Sequence, residues 1–501
     1  MNKANEFGSP QMLDTGIDGL NAVLCGGLIA ERLHIVEGNP GAGKTTLAMQ
    51  FLLAGAALGE RGLFVSLAET ERELRSFSAA HDWDLNGIEI LEIIPSEASL
   101  TPDARYTMYH PSEVELGETT RAVLSEAQRL KPKRLVFDSL SGLRVLAESP
   151  VRYRRQILAL KQHFSNQGCT ILFVDDRPGQ NGDMDLQTIA NSVISLEAYT
   201  AEYGTLRRRV QVRKVRGCAF REGFHDYAIR KGGLKVFPRL VASEHFTEFA
   251  PGLVSSGLES VDSLLGGGLT RGTSTLIMGP AGAGKSAIAT QYVVAAAARG
   301  ERSAMFVFDE SIATLVERSA GLGMDVKEHI DAGTVSVRQI NPAELSPGEF
   351  SHAVRKAAEG GASLVVIDSL TGYMNAMPSE RFLSLHLHEL LSYLGQQGIT
   401  TLMIATQHGI IGVNQQPAVD TSYLADTVVL LRYFESFGLV RQVISVIKKR
   451  TGKHEHTIRE LRFDKGLVVG PPIVDFHGVL AGAPEFVGSA ANKDGLLDEA
   501  I

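Results

Sequence analysis

The sequence predicts an α/β protein built as one domain written twice, each copy a mainly parallel sheet flanked by helices. Three observations carry this. Short, near-continuous apolar strands alternate with amphipathic helical stretches, as in a sheet buried on both faces. A glycine loop of the form G-x-x-x-x-G-K-[ST] occurs twice, as Gly38 to Thr45 and Gly279 to Ser286, each time between an apolar strand and a helical segment. Landmarks also recur at one constant offset: Lys44 and Lys285, Thr15-Gly16 and Ser256-Gly257, Gly26-Gly27-Leu28 and Gly267-Gly268-Leu269, Gln50 and Gln291, and Glu69 and Glu310 are all 241 residues apart. The offset falls to 230 between Asp138 and Asp368, so the first copy carries extra loop before that point. A period this long marks a duplicated domain rather than a solenoid. The expected division is 1–245 and 246–480, with a tail over 481–501, rich in small residues, that reads as frayed.

In order along the first copy, Leu33 to Val36 is a strand and the segment after Thr45 a helix. Gly62 to Leu67 is a strand and Glu71 to Ala80 a helix. Residues 101–117, with Pro102 and Pro111, read as an exposed loop, and Glu118 to Leu130 as a helix. Arg134 to Asp138 is a strand, Val151 to Gln167 a long amphipathic helix, and Cys169 to Val174 a strand. The second copy repeats the series with strands at Ser274 to Met278, Ala304 to Phe308, Leu364 to Asp368 and Thr400 to Ala405, and a helix at Glu380 to Gln397. A linker is expected near Pro238 to Gly257, where Pro251-Gly252 interrupts the pattern.

Composition narrows the function classes. At 501 residues, 44% hydrophobic and 21% charged, the chain has the balance of soluble globular domains. The net charge of −8 argues against a dominant nucleic-acid surface. Cys25, Cys169 and Cys218 are odd in number and far apart, which suits a reduced compartment and gives neither a disulfide framework nor zinc spacing. The first residues lack an apolar signal region, and no apolar run approaches the ~18 residues needed to span a bilayer, so a cytoplasmic location without membrane attachment is expected.

The residues that carry chemistry fall into three sets. In the loops, glycines let the backbone turn tightly and aim N–H groups at a phosphate. Gly38, Gly41, Ala42, Gly43, Lys44, Thr45 and Thr46 form the first candidate nucleotide site, and Gly279, Gly282, Ala283, Gly284, Lys285, Ser286 and Ala287 the second. The lysines would reach β- and γ-phosphates, and the Thr45 and Ser286 hydroxyls would join a Mg²⁺ shell. Asp138 and Asp368 end apolar strands, the Walker-B position of a carboxylate that supports the metal; an aspartate there can also be a simple turn former. Between these, another strand ends in acid: Ala68-Glu69 in the first copy and Asp309-Glu310 in the second, candidate bases beside a γ-phosphate, with Asp309 also a candidate metal ligand. The bland alternative is a solvated acid capping the next helix. One acid against two leads us to expect different chemistry in the halves.

The third set lies late in each copy. Lys214-Val215-Arg216 and Lys448-Lys449-Arg450 follow alternating apolar residues, so each Lys-x-Arg presents both cations on one strand face. Such a pair can meet a neighbouring subunit's γ-phosphate, or can simply blunt an edge strand. Arg207-Arg208-Arg209, a conceivable nucleic-acid contact, has no counterpart in the second copy, and His454-x-His456 lacks an evident third metal ligand.

With these sets in place the chain resembles the KaiC family, the circadian-clock ATPase and autokinase with two RecA-like P-loop domains in tandem. The resemblance spans Asp14 to Pro472 and includes Leu63 to Thr70, Trp83-Asp84-Leu85, Ala425 to Leu431 and His454 to Glu460. It implies ATP and Mg²⁺ as cofactors and a homo-oligomer, a hexamer of two stacked rings with ATP between subunits. It further implies slow ATP hydrolysis in the N-terminal ring, and autophosphorylation of a Ser–Thr pair and dephosphorylation in the C-terminal ring. Here that pair falls on Ser422-Tyr423, with Thr421 as a fallback hydroxyl; Ala68 stands where the family has its first N-terminal catalytic glutamate. The tail does not match the family's partner-binding tail, so regulatory partners stay unidentified and a clock role is not implied. Two rival readings remain: a recombinase- or helicase-like nucleic-acid ATPase, and a non-catalytic nucleotide-dependent scaffold.

Overall fold

The structure, a computed structural model, describes residues 10–93, 111–147, 149–176, 184–200, 204–341, 343–375, 382–407, 422–436, 438–464, 466–480 and 484–488. The chain divides into two compact units, Met1–Arg239 and Leu240–Ile501.

Each unit is built on a nine-stranded sheet. In the first, the order is Gly233–Phe237, Phe224–Arg230, Arg207–Val215, Ser192–Tyr199, Leu33–Gly38, Thr170–Asp176, Arg134–Asp138, Gly62–Ser66 and Ile88–Glu92. Strands from Ser192–Tyr199 to Ile88–Glu92 pair in parallel, and the other three extend the sheet antiparallel. The second unit repeats this with Ser274–Gly279 in the middle, parallel strands out to Val335–Gln339, and an antiparallel extension through Leu439–Lys449, Arg459–Phe463 and Leu467–Pro472. These are two tandem RecA-like α/β domains. The central strand is largely buried because helices cover both faces: Leu33 and Ile35 enter one core cluster and Val36 the other, as Ile277 and Leu276 do in the second unit.

Three segments differ from the pattern read in the sequence. The helix expected from Glu118 starts at Pro111 and runs to Leu130, so 111–117 are not loop. Proline fits a first helical turn, where its missing N–H has no partner to lose, and Leu116 packs on the core below. The linker region is bound to the second unit: Leu253–Val254 pairs with Leu269–Thr270, and the Phe249 ring fills the space beside Gly272 and Gly398. Near the C-terminus, Glu485–Phe486 pairs with Phe476–His477, with the two phenylalanine rings edge to face at 5.4 Å. Among the described residues no helix is long and apolar enough to cross a membrane.

Candidate functional site: two P-loops on matched sheets

Both glycine loops join the central strand of their sheet to the helix that follows, Lys44–Ala56 and Lys285–Ala298. Gly41, Gly43, Gly282 and Gly284 have φ of 76°, 89°, 78° and 87°, the left-handed region that side chains rarely adopt. Gly38 and Gly279 are required for another reason: a Cβ there would come within 2.6 Å of Leu196 O and 2.7 Å of Leu431 O on the neighbouring strand. Ala42, Ala283, Thr46 and Ala287 are buried under the loops. A side chain from the antiparallel extension leans on each helix start, Ile229 against Gly43 and Phe463 against Gly284.

The loop hydroxyls meet the strand-end aspartates. Thr45 Oγ1 donates to Asp138 Oδ2 at 2.7 Å, and Ser286 hydrogen-bonds Asp368. Burial raises both carboxyls above the usual range, against the lowering effect of those hydrogen bonds. The peptide bond after each aspartate is cis. Burial also lowers the Lys285 ammonium, which donates to Pro280 O at 2.7 Å.

The candidate bases sit in different surroundings. Burial, and then the charges of Asp138 and Glu73, raise the Glu69 carboxyl. In the second unit a Ser369 hydroxyl donates to Asp309 Oδ2, while Glu310 is held by Arg318 in a two-pronged ion pair, Nε to Oε1 and Nη2 to Oε2 both at 3.0 Å. Lys285, Ser286, Asp309, Glu310, Arg318 and Asp368 line one cavity of about 560 Å³, with Phe463 on its wall. A cavity of this size with a few convergent polar groups is what a small-molecule site requires. Among the described residues, no group of three or more His, Cys, Asp or Glu could hold a metal by protein ligands alone.

Residues 13–241 and 254–472 each match the family model described as ATPase: KaiC. The chain belongs to the KaiC ATPase family. Over 98% of its length and 98% of the relative's, this KaiC-family chain is 27% identical to the circadian clock protein KaiC3 of Synechocystis sp.. It is 24% identical to the circadian clock oscillator protein KaiC of Picosynechococcus sp., over 95% of this chain and 92% of that one. The same figure holds for the KaiC of Synechococcus elongatus, over 96% and 93%. Nucleotide binding is what an ATPase of this family implies for the two loops.

The late cations hold the turn that enters the neighbouring strand. Lys448 Nζ donates to Ser422 O at 3.0 Å and Ala425 O at 2.7 Å, and Arg450 reaches Tyr423 O at 3.1 Å and Asp426 Oδ1 at 3.3 Å. At the matched places of the first unit, Lys214 Nζ donates to Gln187 O at 2.5 Å and Arg216 Nη2 to Thr188 O at 2.5 Å. Burial and the nearby Arg216 and Lys161 charges lower the Lys214 ammonium. Ser422 is half-buried and Tyr423 exposed, whereas Thr421 lies outside the described residues. Two of the three arginines are engaged by the chain itself: Arg207 is buried, and the partly exposed Arg209 pairs with Glu197 at 2.7 Å and lies over the Phe224 ring.

Four residues near the loops escaped the sequence reading. Arg318 lies on the helix Ile312–Gly321 that begins just after Glu310, and its charge on that helix was the available signal. Asp175 and Asp176 end the strand Thr170–Asp176 beside the loop, an acidic strand end like those already singled out. Arg144 pairs with Asp175 at 2.6 Å.

Proposed function

We propose that this KaiC-family chain binds and hydrolyses ATP at both loops, assembles into ATP-bridged rings, and phosphorylates itself on Ser422. The observation that carries the reading is the second unit's cavity, where the P-loop lysine, the Ser286–Asp368 pair, two further carboxylates and Arg318 converge. In the transfer step the serine Oγ attacks the γ-phosphorus in line. The Oγ–P bond forms, the bond from phosphorus to the β,γ-bridging oxygen breaks, ADP leaves, and Asp309 or Glu310 of the adjoining subunit accepts the hydroxyl proton. Lys448 and Arg450 support this by fixing the backbone of the turn that presents Ser422.

Mg²⁺ fits the hydroxyl–carboxylate pairs Thr45/Asp138 and Ser286/Asp368, since it is bound through one or two carboxylates plus phosphate oxygens. Held there, it would supply charge neutralisation on the β- and γ-phosphates. The chain's own part is to hold the oxygens of each pair together before the ion arrives.

The test is phosphopeptide mapping after incubation with Mg-ATP. Label on the peptide holding Ser422, lost in Ser422→Ala, supports the reading; label that moves only to Thr421 shifts the acceptor by one residue. Label persisting elsewhere refutes the acceptor, and no label at all favours the scaffold reading. Light scattering with and without ATP tests the ring: a monomer at saturating ATP removes the trans role of Lys214/Arg216 and Lys448/Arg450.

A further inference from the structure

The P-loop lysine of the first unit is fully engaged by the chain itself. Lys44 Nζ donates to Gly38 O at 2.8 Å and Asn39 O at 3.2 Å, and faces Asp176 Oδ1 at 3.0 Å. An ammonium has three N–H donors, so none is left over. In the second unit the place of Asp176 is taken by Thr406: Gly38 registers with Asp176 in one sheet as Gly279 does with Thr406 in the other. Among the described residues Lys285 makes no ion pair, and its hydrogen bond is to Pro280 O.

We infer that Asp176 is a specificity-determining residue of the N-terminal nucleotide site, an in-chain competitor for Lys44 that weights the site towards diphosphate over triphosphate. The inference rests on reading the first loop as a nucleotide site. A P-loop lysine bridges β- and γ-phosphates, while the loop's backbone N–H groups hold the α- and β-phosphates. A diphosphate can keep those backbone contacts and leave Lys44 with Asp176. A triphosphate must take Lys44 for its γ-oxygen and then hold that oxygen close to the Asp176 carboxylate, and like charges at such separations repel. Asp176 is half-exposed, so it can swing into solvent when displaced. The second unit, with a neutral threonine there, carries no such penalty.

The experiment uses the full chain carrying Lys285→Ala, so that bound nucleotide reports the first unit. Fluorescent mant-ADP is displaced by ADP or by non-hydrolysable AMP-PNP in the presence of Mg²⁺. Asp176→Asn and Asp176→Thr are expected to tighten AMP-PNP about fivefold, the scale of one exposed charge contact, and ADP by less than about twofold. The reciprocal Thr406→Asp, in a Lys44→Ala chain, is expected to weaken AMP-PNP more than ADP at the second unit. Equal shifts for both nucleotides, or none, overturn the inference while leaving the nucleotide site intact. Failure of mant-ADP to bind the Lys285→Ala parent removes the nucleotide reading of the first loop, and the inference with it.

Discussion

Glu69 and Glu310 occupy one position in two copies of one domain, yet they live in opposite electrostatic settings. Among the described residues no ion pair holds Glu69: the place of Arg318 is taken by Phe77, which packs edge-on against His81 and Trp83. Glu310 is gripped by Arg318. Deeper in the sheets the contrast reverses. The first unit sets a buried Asp175 against Arg144, where the second has Met374 and Ala405 packed on its apolar cluster. The loops that would hold phosphate are nearly the same, and divergence gathers at the strand ends around them. A duplicated site can thus keep its binding frame while each copy retunes the charges facing the reacting atoms.

The largest test of this asymmetry is the pair of lysine variants. Lys285→Ala is expected to lower self-phosphorylation roughly 100-fold or more, the scale of losing a group aimed at the developing charge. Lys44→Ala should leave incorporation per assembled particle within about threefold. Radiolabel incorporation on size-fractionated protein measures both, and equal losses would erase the division of labour.

Next comes Arg318. Its removal frees Glu310 from a fixed orientation, so Arg318→Ala is expected to cost about tenfold in the turnover of the second unit, within the range for misplacing a general base. Arg318→Lys should recover part of this and Arg318→Phe, which copies the first unit, none. Single-turnover kinetics in a Lys44→Ala chain separate transfer from binding.

A stability test follows. Arg144→Met strands a buried carboxylate and is expected to cost roughly 2 kcal/mol, at the lower end for buried pairs because Arg144 is itself about one-third exposed. Arg144→Met with Asp175→Ala, the combination of the second unit, should recover most of that. Burial, partly offset by Arg144, pushes the Asp175 carboxyl up to about 6 from an ordinary 3.8. A raised carboxyl favours the folded state while protonated, and that contribution is lost as pH rises through about 6. Without Arg144 the carboxyl rises above that value, so the single variant's deficit should be fullest at alkaline pH and shrink as pH falls towards about 6, as read by urea denaturation.

The smallest expected effect is in the pH profile. Because the Glu69 carboxyl is raised by burial and by Asp138, hydrolysis by the first unit in a Lys285→Ala chain should fall off on the acid side at a higher pH than an ordinary carboxylate would give. Asp138→Asn should move that limb downward in whatever activity remains.

The fold was legible because duplication made each half a check on the other: a lone Asp138 could be a turn former, but Asp138 with Asp368 after matched loops could not easily be. Glycine positions were legible for a similar reason, since only a left-handed backbone or a strand pressed close explains them. What sequence did not reveal were partners set by tertiary contact. Nothing local says that Arg144 meets Asp175, 31 residues on, across a helix–strand packing. Nor does Lys448-x-Arg450 announce that its cations close on the carbonyls of its own entry turn. Pro111 misled because proline marks a helix start as well as a loop.

The side chains of Ile229 and Phe463, pressed against the first residues of the loop helices, have a thermodynamic consequence. Each belongs to the antiparallel extension whose neighbouring strand carries the Lys-x-Arg pair. If phosphate tightens the loop, the ring or branch resting on it must repack, and the free energy of that repacking is shared with the strand beyond. Linkage makes the exchange reciprocal: a neighbour that grips the Lys-x-Arg strand must alter nucleotide affinity by the same factor as nucleotide alters the grip. One bulky contact per unit, aromatic in the second and aliphatic in the first, would set how strongly occupancy of each loop is felt at the far side of its sheet.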